Sequence, residues 1–248
     1  MTYHIVTLFP QSFDSYLNES ILKRAQEDGK IRVKFYNPRD FALPAGVKGK
    51  KKSLQKMTYA ERRVDDRPYG GGPGMVIEAL PVIRAIDAAI GTKIKTPAGK
   101  RSTKIIFFSP SGKSCDTAYV KSVAHKYTDI VLVCGRYEGI DARVKKAFNM
   151  EDVSVGPFVL TGGELPAMIL LDTISRQIPG VLGDINSLEE NRVAAGDVYT
   201  RPEVIEYKGK KYRVPKILLS GDHKRIEEWK TNITTKNSTK TVTRAQHK

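Results

Sequence analysis

Two continuous apolar runs, residues 104–108 (Lys-Ile-Ile-Phe-Phe) and 129–134 (Asp-Ile-Val-Leu-Val-Cys), constrain the fold of this chain more than any other feature. Such runs are typical of strands buried on both faces, as in a parallel sheet covered by helices on either side. The surrounding pattern agrees. Residues 3–8 read as a strand. Residues 10–25 read as a helix, with Phe13, Leu17, Ile21 and Leu22 at helical spacing and Gly29 near its stop. Residues 31–36 alternate apolar and basic, as a half-buried strand does. Residues 78–90 are predicted as a helix, with Pro81 near its start and Gly91 just past its end. Further helices are predicted at 117–125 and 141–148, strands at 152–155 and 158–160, and a nearly all-apolar helix at 165–176. This alternation implies an α/β fold with a mainly parallel sheet.

The character changes near Pro179. Residues 1–182 form the expected α/β domain, and residues 183–197 a polar linker with room for one short helix. Residues 198–230 form a small helical C-terminal domain with one clear helix at 222–229. Residues 231–248 form a basic tail, rich in Thr and Asn, that is expected to be mobile. Lys and Arg total 42 against 27 acidic residues, a formal charge of +15, which favours a polyanionic partner through phosphate contacts and counterion release. With 40% hydrophobic residues, the chain can build a packed core. Cys115 and Cys134 are spaced for neither a metal clip nor a redox pair. Both adjoin apolar runs and read as buried free thiols, which points to a reducing, cytoplasmic compartment. The apolar N-terminal stretch is too short for a signal peptide and has no basic leader. No run of about eighteen apolar residues is present to span a membrane.

Familiar nucleotide motifs fail. Gly112-Lys113-Ser114 resembles the end of a phosphate-binding loop, but Phe107 occupies the place of the required earlier glycine. The glycines at 70, 71, 72 and 74 follow Asp65-Asp66-Arg67-Pro68-Tyr69 rather than a strand, and their spacing breaks at Met75. Four scattered histidines argue against a histidine-rich metal site.

Three other loops stand out, because each is predicted to follow a strand. They are Ser109-Pro110-Ser111-Gly112, Gly135-Arg136-Tyr137-Glu138-Gly139-Ile140-Asp141, and Thr161-Gly162-Gly163-Glu164-Leu165-Pro166. In open α/β sheets, ligands bind outside the carboxyl ends of the strands, and glycines there let a ligand approach the backbone. Together the loops suggest one nucleotide-sized pocket lined largely by backbone. A fourth loop, residues 65–75, holds four glycines and two prolines beside Arg67 and Tyr69. It is sterically open enough to admit a flipped base, held by stacking and at its edges.

Together these strings resemble the bacterial tRNA (guanine, position 37, N1 atom) methyltransferases of the SPOUT superfamily. The resemblance covers most of the chain: Leu8-Phe9-Pro10, Asn37-Pro38-Arg39-Asp40-Phe41, and residues 64–75, 133–141, 159–167, 175–183, 199–203 and 218–221. It implies a parallel-sheet domain tied in a deep trefoil knot, an exception to the rule that chains avoid threading loops. It also implies a homodimer whose active sites span two subunits, with the small C-terminal domain helping to hold tRNA. S-adenosylmethionine is the implied cofactor, with magnesium as a second candidate. The resemblance sets the cofactor against Ser109, Pro110, Gly135, Tyr137 and Glu138. It continues through Val155, Gly156, Pro157, Phe158, Val159 and Leu160, and then Gly162, Gly163 and Pro166. On the substrate side it implies Asp66, Arg67 and Tyr69, the glycines Gly71, Gly72 and Gly74, and Arg201.

Guanine N1 carries a proton, so methylation there needs a general base, and the negative charge that shifts toward O6 needs a cation or donor. The resemblance gives the second role to Arg176. The base is where this chain departs from the family, because Asn191 stands at the position of the usual Asp, and an amide does not accept a proton at neutral pH. Three readings follow. Glu189 or Glu190 supplies the carboxylate by a shift in register. Alternatively, Asn191 orients the guanine while the proton goes to water or to Glu138. Otherwise the chain is an impaired or non-catalytic tRNA-binding relative. Ser187-x-x-Glu190 also reads as a helix capping box. Pro157 stands where an Asp is usual, the linker before Tyr199 is short, and the lysine-rich insert at residues 47–56 is extra.

Overall fold

The computed structural model describes residues 1–42, 62–91, 102–183 and 198–231. The lysine-rich insert, most of the predicted linker (with Glu189, Glu190 and Asn191) and the tail from residue 232 lie outside the described residues. The chain divides into two compact units, Met1–Gly183 and Asp184–Lys248.

The first unit is built on a five-stranded, all-parallel sheet. Its strands are β1 (Thr2–Val6), β2 (Arg32–Tyr36), β5 (Thr103–Ser114), β6 (Asp129–Val133) and β7 (Met150–Ser154), in the order β2-β1-β6-β5-β7. All five residues of central β6 are buried. Alternate β6 side chains serve opposite faces. Ile130 and Leu132 pack with Tyr3, Ile5 and Ile106 on one face, beneath helices α2 (Ser20–Glu27), α4 (Thr117–Lys126) and α6 (Glu164–Ser175). Val131 and Val133 pack on the other face, beneath α3 (Ala79–Ile90) and α5 (Arg143–Ala147). The two continuous apolar runs are therefore apolar because both faces are covered.

The structure corrects the sequence reading in four places. The single helix expected over 10–25 is three pieces: a 3-10 turn (Pro10–Phe13), α1 (Asp14–Leu17) and α2. The break at Asn18 and Glu19, with Ser20 at φ 48°, lets Phe13, Leu17, Leu22 and Ala25 all reach the core, which one straight helical face would not allow. No strand forms at 158–160, where Val159 is 86% exposed, so the segment has no partner to pay for the ordering of an extended backbone. Cys134 is buried as expected, but Cys115 is only half-buried. The C-terminal unit, expected to be helical, also contains an antiparallel hairpin, β8 (Val204–Tyr207) with β9 (Lys210–Arg213), followed by a 3-10 turn and a helix over 223–231. Lys208 and Gly209, both at positive φ, close the hairpin.

Candidate active site

Three segments leave the carboxyl ends of β5, β6 and β7 and enclose one cavity of about 240 Å3. In β5 the ladder to β7 jumps, with Phe108 and Lys113 both opposite Val153, so residues 109–112 stand out of the sheet. Pro110 has no N–H to give a ladder and suits this excursion. Gly112 closes it, since a Cβ there would lie 2.6 Å from the backbone of Asp152 and Val153. After β6, the segment Gly135-Arg136-Tyr137-Glu138-Gly139 turns tightly. Tyr137 adopts φ 59°, a left-handed conformation rare for a non-glycine residue and common at ligand sites. After β7, the Ser154 hydroxyl donates to the Gly156 carbonyl (2.9 Å) and turns the chain into residues 155–163.

The second and third segments are locked together. The Gly163 N–H donates to the Gly135 carbonyl at 2.9 Å, and Arg136 and Gly162 form an isolated antiparallel bridge. A Cβ on Gly163 would sit 2.6 Å from the Cys134 Cα, so this approach requires glycine. Beneath it lies a buried polar knot. Glu164, at the first turn of α6, is 3% exposed. It accepts from the Thr7 hydroxyl (2.8 Å) and pairs with Arg136 Nε at 2.9 Å. Arg136 also donates to the Thr161 carbonyl (3.3 Å) and lies 4.7 Å over the Phe9 ring. Arg39 stacks on the same ring and donates to the Leu8 carbonyl at 3.0 Å. The strings around Leu8, Asn37, Gly135 and Thr161, far apart in sequence, thus meet in one cluster. Burial next to Glu164 pushes the Cys134 thiol well above its ordinary range, which makes it an inert core group.

Thirteen of the positions carried over for the cofactor line the cavity: Ser109, Pro110, Gly135, Tyr137 and Glu138; Val155, Gly156, Phe158, Val159 and Leu160; and Gly162, Gly163 and Pro166. Pro157 does not. Phe107, Phe108, Arg136, Gly139, Val153, Ser154 and Thr161 also line it, and sequence reading had not singled them out as ligand contacts. Arg136, Gly139 and Thr161 were legible as members of the loop strings. Phe107 and Phe108 were not, because a strand-end aromatic reads as core.

The open loop at 65–77 is a small hairpin, with β3 (Asp65–Asp66) antiparallel to β4 (Val76–Ile77). Gly70, Gly71, Gly72 and Gly74 all take positive φ, between 78° and 115°. Tyr69 is fully exposed at the tip, and the Asp66 carboxylate accepts from the Arg67 N–H at 2.7 Å. This hairpin is stitched to the cavity wall. The Ile77 N–H donates to Gly139, the Glu138 N–H to Met75, and the Asp141 N–H to Ile77. Gly74 lies against the Glu138 side chain, where a Cβ would be 2.5 Å from Oε1. Asp141 closes the stitch by pairing with Arg143, whose hydrogen bonds hold the Asp141 carboxyl below the usual carboxylate range.

Arg176 is not part of this cavity. It caps the carboxyl end of α6, whose amino end lines the cavity. Twelve residues of helix separate the two ends by about 18 Å. Its position is fixed by the buried Ser175 hydroxyl, hydrogen-bonded to the Tyr3 hydroxyl at 2.9 Å. Beside it, Tyr16 hydrogen-bonds Asp172, which raises the Tyr16 pKa. Arg201 belongs to the second unit, where it lines a separate groove with Tyr199, Pro202 and Leu218.

Among the described residues no three His, Cys, Asp or Glu side chains converge as a metal site, and no helix is long and apolar enough to cross a membrane. Comparison with known proteins agrees on one family. The chain is 42% identical over 235 residues to a tRNA (guanine-N(1)-)-methyltransferase of Clostridioides difficile, covering 93% of this chain and 90% of that protein. It is 41% identical over 230 residues to one of Pseudoalteromonas atlantica, covering 91% and 77%. The crystal structure of tRNA (m1G37) methyltransferase from Aquifex aeolicus superposes with a TM-score of 0.70 at 34% identity, covering 97% of this chain and 92% of that one. With residues 1–246 matching as well, this chain belongs to the tRNA (Guanine-1)-methyltransferase TrmD family.

Proposed function

We propose that this protein transfers the methyl group of S-adenosylmethionine to N1 of the guanine at position 37 of tRNA. The observation that carries the reading is the junction of two loops. The cavity built from three strand-end segments opens, through Glu138, onto the glycine-rich hairpin at 65–77. The cavity fits the cofactor's chemistry. Phe107, Phe108, Phe158 and Leu160 offer apolar surface for an adenine ring, and the glycines bare backbone for its polar edges. Among the described residues Glu138 is the only carboxylate in the lining, suited to a cationic sulfonium. When bound, the cofactor supplies an electrophilic methyl group. The chain's own residues must then admit and orient the guanine, remove its N1 proton and stabilise charge at O6. Asp66, Arg67, Tyr69, Gly71, Gly72 and Gly74 are assigned to the first task, and Arg176 to the last. Among the described residues no three His, Cys, Asp or Glu side chains converge to hold magnesium. The intact cavity and the family match over nearly the whole chain favour this enzyme over a non-catalytic relative.

The reading includes a knotted SPOUT fold, a cytoplasmic location and a homodimer. The dimer is supported by the helix length that separates Arg176 from its own cavity, because a second copy must then bring the cation. The exposed α6 side chains Leu165 and Ile169 offer an apolar face for that contact. Arg201 and the C-terminal domain are assigned to tRNA. Their support is the hairpin, whose Ile205, Tyr207, Lys210 and Tyr212 share one face. Lys208 and Lys210 lie over the two tyrosine rings. Basic groups beside exposed aromatics suit phosphates and nucleoside rings.

The test is methylation of a tRNA transcript carrying G37. Mass spectrometry of the digested product should find 1-methylguanine at that position and none in a transcript with A37. No methylation of any tRNA would reject the reading. A second measurement addresses the hairpin. Replacing Lys208, Lys210 and Lys211 by alanine should lower tRNA affinity and flatten the salt dependence of log Kd by about two to three units of slope. An unchanged slope would remove the hairpin from the interface.

A further inference from the structure

We infer that in this chain Glu138 is the general base that takes the N1 proton of the target guanine, an assignment that rests on the methyltransferase reading above. Three observations carry it. First, Asn191, where the resemblance implies an aspartate, is an amide and cannot take the proton. Second, among the described residues Glu138 is the only carboxylate lining the cavity. It also lies against Gly74, in the hairpin assigned to the guanine, so its oxygens stand where the two reactants meet. Its position is set by its own backbone, whose N–H donates to the Met75 carbonyl at 3.0 Å. Third, several neighbouring carboxylates are engaged by other groups. Glu164 is held by Thr7 and Arg136, Asp141 by Arg143, and Asp65 by Arg63, while Asp66 accepts from the Arg67 backbone. Among the described residues the other ionisable side chains in the cavity lining are Arg136 and Tyr137.

The step balances. The N1–H bond breaks and its proton passes to a Glu138 oxygen. The N1 electron pair forms the bond to the transferred carbon. The carbon–sulfur bond breaks with its pair on sulfur, leaving a neutral thioether. A carboxylate and a sulfonium become a neutral acid and a neutral thioether, so charge is lost rather than separated. A cavity with apolar walls favours such a change. Gly74 is part of the device, since any side chain there would displace the carboxylate.

The test is single-turnover methylation by the full-length protein and its Glu138→Gln, Glu138→Asp, Glu189→Gln and Glu190→Gln variants, with cofactor affinity measured by calorimetry. Glu138→Gln, compared with the parent at saturating cofactor, should slow the step about 100-fold or more. The deficit should shrink as pH rises and guanine loses its proton unaided, and Asn191→Asp in the same background should restore rate. Glu138→Asp, which keeps a carboxylate, should retain part of the activity. A Glu138→Gln rate within threefold of the parent would overturn the assignment, as would a loss confined to Glu189→Gln or Glu190→Gln. A deficit that does not change with pH would make Glu138 a positioning residue only. If the parent itself methylates no tRNA, the functional reading falls, and this assignment with it.

Discussion

Replacing Arg176 with alanine is expected to slow methyl transfer about 100- to 1,000-fold while leaving cofactor binding intact. That is the usual cost of removing one preorganised donor from a developing anion. The geometry adds a sharper expectation. Arg176 sits at the far end of α6 from the cavity that its own chain builds, held there by Ser175 and Tyr3. An Arg176→Ala subunit therefore keeps an intact cavity, whereas a Gly163→Ala subunit keeps its arginine but has a cavity distorted at Cys134. Neither homodimer should turn over well. If the proposed dimer shares its sites, mixed dimers purified with two tags should regain activity in one site, with the cavity from one subunit and the arginine from the other. Recovery near half the parent rate would establish a shared site. Mixed dimers as inactive as both parents would place Arg176 in its own chain's site, or outside catalysis.

Glu164→Ala should have the largest effect on stability. The substitution leaves the Arg136 guanidinium and the Thr7 hydroxyl without their shared partner beneath the cavity. Losing one member of a buried pair costs about 3–5 kcal/mol. The Arg136 side chain remains 24% exposed, so the lower end, about 3 kcal/mol, is expected. For a unit of this size that corresponds to a fall in Tm of about 6–12 °C. Cofactor affinity should fall with it, since Arg136 also holds the Thr161 carbonyl and packs on Phe9. Glu164→Gln, which keeps an acceptor for Thr7 but not the charge, should lie between the parent and the alanine variant. A melting temperature unchanged in both variants would mean that the cluster contributes neither to stability nor to the cavity.

Much of this arrangement was legible in the sequence. The apolar runs at 104–108 and 129–134 identified the buried parallel strands, because a strand covered on both faces has no reason to alternate. The strings around Gly135 and Gly162 pointed to the cavity, because glycine at a strand end marks a close approach. What misled was local. The pattern over 10–25 fits one helix by periodicity, yet the core needed the chain to break at Asn18 and Glu19. The apolar stretch Phe158-Val159-Leu160 looked like a strand, but strand formation requires a neighbour with free hydrogen-bonding groups. The C-terminal hairpin was missed because its lysines and tyrosines leave no apolar face to reveal a period of two.

The sequence by itself determined the layered α/β class, the loops that line the cavity, the family, and the absence of an acid at residue 191. Each is a property of residue type and local order. Only the tertiary structure decided that Gly74 and Glu138 lie side by side, that Thr7, Phe9, Arg39, Arg136 and Glu164 form one cluster, and that Arg176 ends up a helix length from its own cavity. Those relations depend on how strands distant in sequence are ordered within one sheet, and on the direction in which the helix between them runs. No spacing along the chain encodes either.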